Sequence, residues 1–141
     1  MTQSLPTLGE ALARALAMFI AADGRVDARE LNALDKLDAF RRLGVSRERF
    51  VGIARLCAAD VGVYLRDRSW LCTDHLTYID ALLDAVADTE DRMFVCQLAA
   101  AAIAADGRVT HDEQLVYNHA LAYWRIEPSN VIQAILDGRV R

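Results

Sequence analysis

The chain has 141 residues, 54% of them hydrophobic and 26% charged, which is enough apolar material for one domain with its own core. Two prolines and seven glycines exclude a collagenous, proline-rich or Gly/Ser-linker protein, and the apolar fraction excludes intrinsic disorder. A net charge of −4 with a pI near 5.3 argues against a general electrostatic grip on nucleic acid or anionic lipid.

In chain order, Glu10 and Arg14 interrupt the first apolar residues and no basic leader precedes them, so no export signal is expected. Leu8, Leu12, Leu16, Phe19 and Ile20 recur with the helical period and predict a first helix; Leu31, Leu34 and Leu37 predict a second. Ser46 is the expected cap of a third helix, where Phe50, Ile53, Cys57, Val61 and Tyr64 form a stripe ending near Arg66. A fourth carries Leu76, Ile79, Leu83 and Val86 behind a cap at Thr73 or Asp74. Asp88 or Thr89 opens a fifth, with Met93, Cys96, Ala100 and Ile103 on one face. A sixth runs from His111 to about Trp124, and Pro128, suited to a first helical turn, opens a short seventh. Alternating strand patterns are absent, so the expected fold is all-α, a bundle of six or seven helices. The most apolar stretch, residues 93–105, falls short of the roughly 20 residues that cross a bilayer and reads as a buried helix.

Cys57, Cys72 and Cys96 are odd in number and lack CxxC spacing, which favours reduced, buried thiols in a cytoplasm. Cys72 and His75 form a C-x2-H fragment with no second pair in sequence, so a zinc site is not expected there.

The chain repeats itself. Ala21-Ala22-Asp23-Gly24-Arg25-Val26 recurs as Ala104-Ala105-Asp106-Gly107-Arg108-Val109, and a glutamate, Glu30 or Glu113, follows each glycine by six residues. More weakly, Leu43-Gly44-Val45-Ser46 resembles Trp124-Arg125-Ile126-Glu127, each ahead of a helix. These matches imply one domain, 1–141, built of two similar halves with repeat units at approximately 8–66 and 90–136.

The spacing of each loop matches the second half of an EF-hand but not the first, where Phe19 and Ala21, or Ala102 and Ala104, stand in place of oxygen ligands. Calcium takes roughly six to eight oxygens, so one such loop cannot build a site alone. Two readings of the motif remain. In the first, Gly24 and Gly107 supply left-handed turns, Asp27 and Thr110 cap the following helices, and Glu30 and Glu113 complete capping boxes. Asx-type turns would then occupy Asp23 and Asp106. In the second, the halves pack so that the loops meet, and Asp23, Asp27, Glu30, Asp106 and Glu113 hold a divalent cation: calcium, magnesium, manganese or zinc. With Asp112 they would form an acidic surface for a partner, since such a cluster repels itself until something positive neutralises it.

Paired A-A-D-G-R-V-x3-E loops about eighty residues apart in an all-helical chain resemble the TerB family of tellurite-resistance proteins and the TerB-like domain of some DnaJ-type co-chaperones. The resemblance spans about Leu8 to Ile135, rests on both loops being present, and departs at Thr110, which stands opposite Asp27. It implies a cytoplasmic bundle of about seven helices in two halves, with an acidic surface that meets membrane-embedded and metal-linked partners. Carried over by position, its motif residues are Asp23, Gly24, Glu30, Asp106, Gly107 and Glu113.

Other chemistries find little support. There is no Gly-rich phosphate loop and no HExxH, and His75, His111 and His119 are isolated in sequence, so an enzyme is not expected. Arg41, Arg42, Arg47, Arg49 and Arg55 read as favourable charge at a helix C-terminus plus solvated surface, not as a nucleic-acid grip. The function expected is a non-enzymatic stress-response module that binds protein partners through its acidic loops, in the cytoplasm and peripheral to the inner membrane through a partner. The alternative is a scaffolding domain whose loop carboxylates only cap helices.

Overall fold

The computed structural model describes residues 7–65, 73–106 and 109–131, with the side chains of Leu65 and Asp106 outside that description. Its helices are α1 (Leu8–Ile20), α2 (Ala28–Lys36), α3 (Ala39–Leu43), α4 (Arg47–Leu65), α5 (Thr73–Asp84), α6 (Thr89–Ile103) and α7 (His111–Trp124). A 3-10 turn, Ala104–Asp106, extends α6, and residues 128–131 open an eighth helix. The fold is an all-α bundle with no strand among the described residues.

α1 is its axis. From Ala11 to Ala22 every residue except Arg14 is buried, and α3, α4, α5, α6 and α7 all pack on it. A helix apolar on all sides has to be enclosed, and Ala11, Ala13, Ala15 and Ala17 leave room for neighbours to come close. Leu16, Met18, Phe19 and Ile20 fill the space between, each worth about 1.5–3 kcal/mol of burial. The helix starts at Thr7, whose side chain accepts from the Glu10 N–H at 3.1 Å. Leu8, expected on the core face, is 60% exposed because it precedes the enclosed segment.

The count exceeds the six or seven helices expected, because the segment after Lys36 breaks and restarts. Asp38 takes a left-handed φ of 57°, held by the Arg41 Nε donating to its carboxylate at 2.7 Å, and α3 follows. Leu37 therefore lies just outside α2 while still packing on the core. α3 ends with Gly44 at φ 82°, where the Val45 N–H donates to Phe40 O at 3.1 Å. α7 ends with the same geometry: Arg125 at φ 57°, and Ile126 N–H donating to Leu121 O at 2.9 Å.

The expected starts of α4 and α6 hold: Ser46 accepts from Arg49 N–H, and Asp88 from the N–H groups of Glu90 and Asp91. Thr73 is already helical and its carbonyl accepts from the Thr77 hydroxyl, so any cap of α5 precedes it, outside the described residues. Polar bonds fasten α5 to α7: Trp124 Nε1 donates to Leu83 O at 3.1 Å, Tyr123 donates to Asp84 at 2.6 Å, and His119 meets Asp80 at 2.7 Å. Cys57 and Cys96 are buried free thiols, pushed by burial up to about 11 and about 12. Among the described residues no helix is long and apolar enough to cross a membrane.

α1 meets the end of α3 closely at Gly9, where an added Cβ would lie 2.5 Å from the Leu43 carbonyl oxygen. Since that oxygen is backbone, it cannot swing away. Gly9→Ala is expected to lower stability by about 1–3 kcal/mol, read as a fall in the urea midpoint. Gly62→Ala, with open space beyond it, should raise it slightly.

Candidate functional site

The two loops meet. α2 packs against α6 and the 3-10 turn, while α7 packs against α1, so α2 and α7 approach one another's preceding helices. Between the loops lies a cavity of about 360 Å3 lined by Asp23, Arg25, Val26, Asp27, Arg29, Glu30, Thr110 and Glu113. Four of the five carboxylates expected to hold a cation, Asp23, Asp27, Glu30 and Glu113, thus share one cavity. Asp106 contributes the end of the 3-10 turn, its side chain and Gly107 lying outside the described residues. Asp112 is not in the lining and instead lies near His75.

Each carboxylate is placed by its local backbone. Asp23 closes an Asx-type turn, accepting from Arg25 N–H at 3.0 Å, and Gly24 takes the left-handed φ of 82° four residues beyond the end of α1. Asp27 caps α2 by accepting from Arg29 N–H at 2.7 Å. Thr110 caps α7 in a complete capping box: its hydroxyl accepts from Glu113 N–H at 3.2 Å, and Glu113 Oε1 accepts from Thr110 N–H at 2.8 Å.

Glu30 departs from that symmetry. The capping box expected at α2 does not form; the Asp27 half is made, but the Glu30 side chain turns inward and is only 3% exposed. Its Oε2 meets no donor in the protein. The Glu113 carboxyl lies within hydrogen-bonding reach, and such a bond between two carboxyls requires a proton on one of them. Burial first, then Glu113, hold the Glu30 carboxyl well above the usual glutamate range, with Asp23 and Asp27 adding repulsion. Burial also raises Asp23, against the opposing bond from Arg25 N–H. The cations at hand do little to offset this: the Arg25 guanidinium is 82% exposed and 3.9 Å from Asp23.

Among the described residues no three His, Cys, Asp or Glu side chains converge as a metal cluster. What the cavity offers is a pair of carboxyls with one donor-free oxygen, and Asp23 and Asp27 close by. That arrangement requires a positive charge between the glutamates, either a proton or a cation. A cavity of this size also admits several waters, each taking about 30 Å3, to complete a coordination shell.

The other sequence candidates resolve into local structure. Arg47 pairs with Asp35, Arg49 with Glu10 at 2.7 Å and Arg41 with Asp38, and Arg42 lies over the Phe94 ring, which consumes most of the basic cluster. The histidines are not isolated in space. His119 pairs with Asp80, and His75 is buried and stacked on Tyr64 at 4.9 Å, its ring held more neutral by burial. Cys72 lies outside the described residues. Sequence reasoning overlooked a third D-G-R-V string, Asp137 to Val140, also outside the described residues. The signal that separates the two loops from it is the pair of alanines before each aspartate, where the third string has Ile135 and Leu136. No family model, curated protein or solved structure matches the chain.

The carboxyl pair sets a pH dependence for the metal-free protein. Folded Glu30 keeps a proton that the unfolded chain, with its ordinary value near 4.5, has lost, so stability falls as pH rises above that value. Glu30→Gln, which keeps a donor beside Glu113 and removes the charge, is expected to stabilise the protein by on the order of 1–3 kcal/mol at pH 8. It should also flatten the slope of melting temperature against pH, as thermal melts from pH 5 to pH 9 would show.

Proposed function

We propose that this chain is a non-catalytic binding module of the tellurite-resistance, TerB-like kind, which takes a hard divalent cation between its two acidic loops and meets a protein partner at that end. The observation that carries this reading is Glu30 Oε2, buried and without a donor beside a second carboxyl. Glu30 and Glu113 would hold the ion, and Asp23 and Asp27 would orient its waters. The ligands are all oxygens, with no imidazole or thiolate in the lining, which favours calcium, magnesium or manganese over zinc. So few protein ligands leave coordination positions to water or to a carboxylate of the partner. The stress-response role, the cytoplasmic location and a membrane-embedded partner rest on the resemblance of the paired loops, and a common origin of the two halves rests on their repeat and on the matching turns at Gly44 and Arg125.

A second reading has its own support. The complete capping box at Thr110 and the Asp27 cap give three of the motif residues purely structural work, with a shared proton satisfying Glu30. Calorimetric titration of chelator-stripped protein at pH 7.5 separates the two. Calcium, magnesium or manganese is expected to bind with a micromolar to millimolar Kd and to raise the melting temperature. A cation at one hundred times its Kd adds about 2.7 kcal/mol. Glu30→Gln combined with Glu113→Gln should abolish both effects. No heat and no change in melting temperature at millimolar metal would leave the scaffolding reading standing.

A further inference from the structure

The outer face of α4 carries apolar residues that the bundle does not use. Phe50, Ile53, Ala54, Cys57 and Val61 turn inward and are buried. On the opposite side, Gly52, Leu56, Ala59 and Val63 are all exposed, with Leu56 at 69% and Val63 at 57%. Their spacing of four, three and four residues is that of a coiled-coil seam, a straight apolar stripe about 16 Å long. Large and small side chains alternate along it. Nothing lies within 4 Å of a Cβ built at Gly52, and no positive φ requires a glycine there, so the fold supplies no reason for this mid-helix glycine.

The charges beside the stripe specify what it fits. Arg55 and Asp60 flank it on opposite sides, five residues apart. In a parallel pair of helices in register, a residue on one flank faces the residue five positions later on the other helix's opposite flank. Two copies of α4 so arranged would place each Arg55 against the other's Asp60, twice, by the two-fold. An antiparallel pairing would instead bring like flanks together, Arg55 towards arginine and Asp60 towards aspartate. Arg55 has no ion pair among the described residues, and the Asp60 carboxylate lies near the Tyr78 hydroxyl, which brings it no positive charge.

We infer that the exposed face of α4 is a homodimer interface, in which two copies of this chain pair their α4 helices in parallel about a two-fold axis, with Leu56 and Val63 in the seam and reciprocal Arg55–Asp60 ion pairs beside it. The groove next to Leu56, about 260 Å3, adds Ile53 and Leu82 beside the stripe, with Arg14, Arg49 and Asp60 also in its wall. One short helix face buries less than the roughly 1,200 Å2 of a standard stable interface, so the dimer is a weak one. The face lies outside the lining of the loop cavity and does not depend on what that cavity binds.

Sedimentation equilibrium from 10 μM to 1 mM tests the inference. The expected result is a monomer–dimer equilibrium within that range, weakened at least tenfold by Leu56→Glu and by Arg55→Glu. The double variant Arg55→Glu with Asp60→Lys should recover most of what Arg55→Glu alone loses. Ala59→Cys adds a readout of direction that keeps the charges: in the parallel pair the two introduced thiols face each other, and oxidised glutathione should link them into a covalent dimer. A parent chain that stays monomeric to 1 mM overturns the inference, as does a dimer indifferent to Leu56→Glu. Failure of Ala59→Cys to cross-link a chain that does dimerise overturns the parallel arrangement, and with it the proposal.

Discussion

Everything in this fold is arranged around the enclosure of α1. A helix that is apolar on nearly every side cannot rest on a single layer, so five other helices close over it, and the order in which they arrive dictates where the loops fall. Because α6 and α7 pack on α1 while α2 packs on α6, the turn leaving α1 and the turn leaving α6 end at the same place. The candidate site is a by-product of that enclosure. Its carboxylates are drawn together by the burial of alanines, leucines and Phe19 in the core, and the core provides the free energy that holds like charges close.

The two loops share a motif but divide its work. At α7 the glutamate closes a capping box and is satisfied by backbone N–H; at α2 the equivalent glutamate forgoes its cap and is buried against the first. One loop therefore offers a carboxyl already fixed in orientation, and the other a carboxyl in need of a partner. A pair of identical, fully capped loops would have nothing left to offer a ligand.

The sequence revealed the helices that have caps and apolar periods, and it revealed the repeated loop motif. Ser46, Asp88 and Thr110 were legible because each makes a short-range bond that its own sequence neighbourhood defines. What escaped was set by packing. The break at Asp38 uses a left-handed aspartate secured by Arg41, for which no glycine gave a signal, and α3 was merged into its neighbour as a result. The orientation of Glu30 was equally hidden, since the S/T/D-x-x-E spacing that predicts a capping box is satisfied in both copies. Both glutamates are buried in the same cavity, and what distinguishes them is that Glu113 accepts from Thr110 N–H while Glu30 Oε2 finds no donor. His119 looked solitary because its partner, Asp80, stands 39 residues earlier and meets it only when α5 and α7 pack together.

The two enclosed thiols described above give the bundle a built-in clock. Held protonated and largely buried, Cys57 at the wall of a surface groove and Cys96 fully enclosed, the two thiols react with an alkylating reagent slowly and faster as the protein opens around them. Cys57 lies under the Tyr78 hydroxyl at the seam of α4 and α5, whereas Cys96 is buried within α6. Their separate labelling rates therefore distinguish a parting of α4 from α5 from an opening around α6, and report how independently the regions of this small domain breathe.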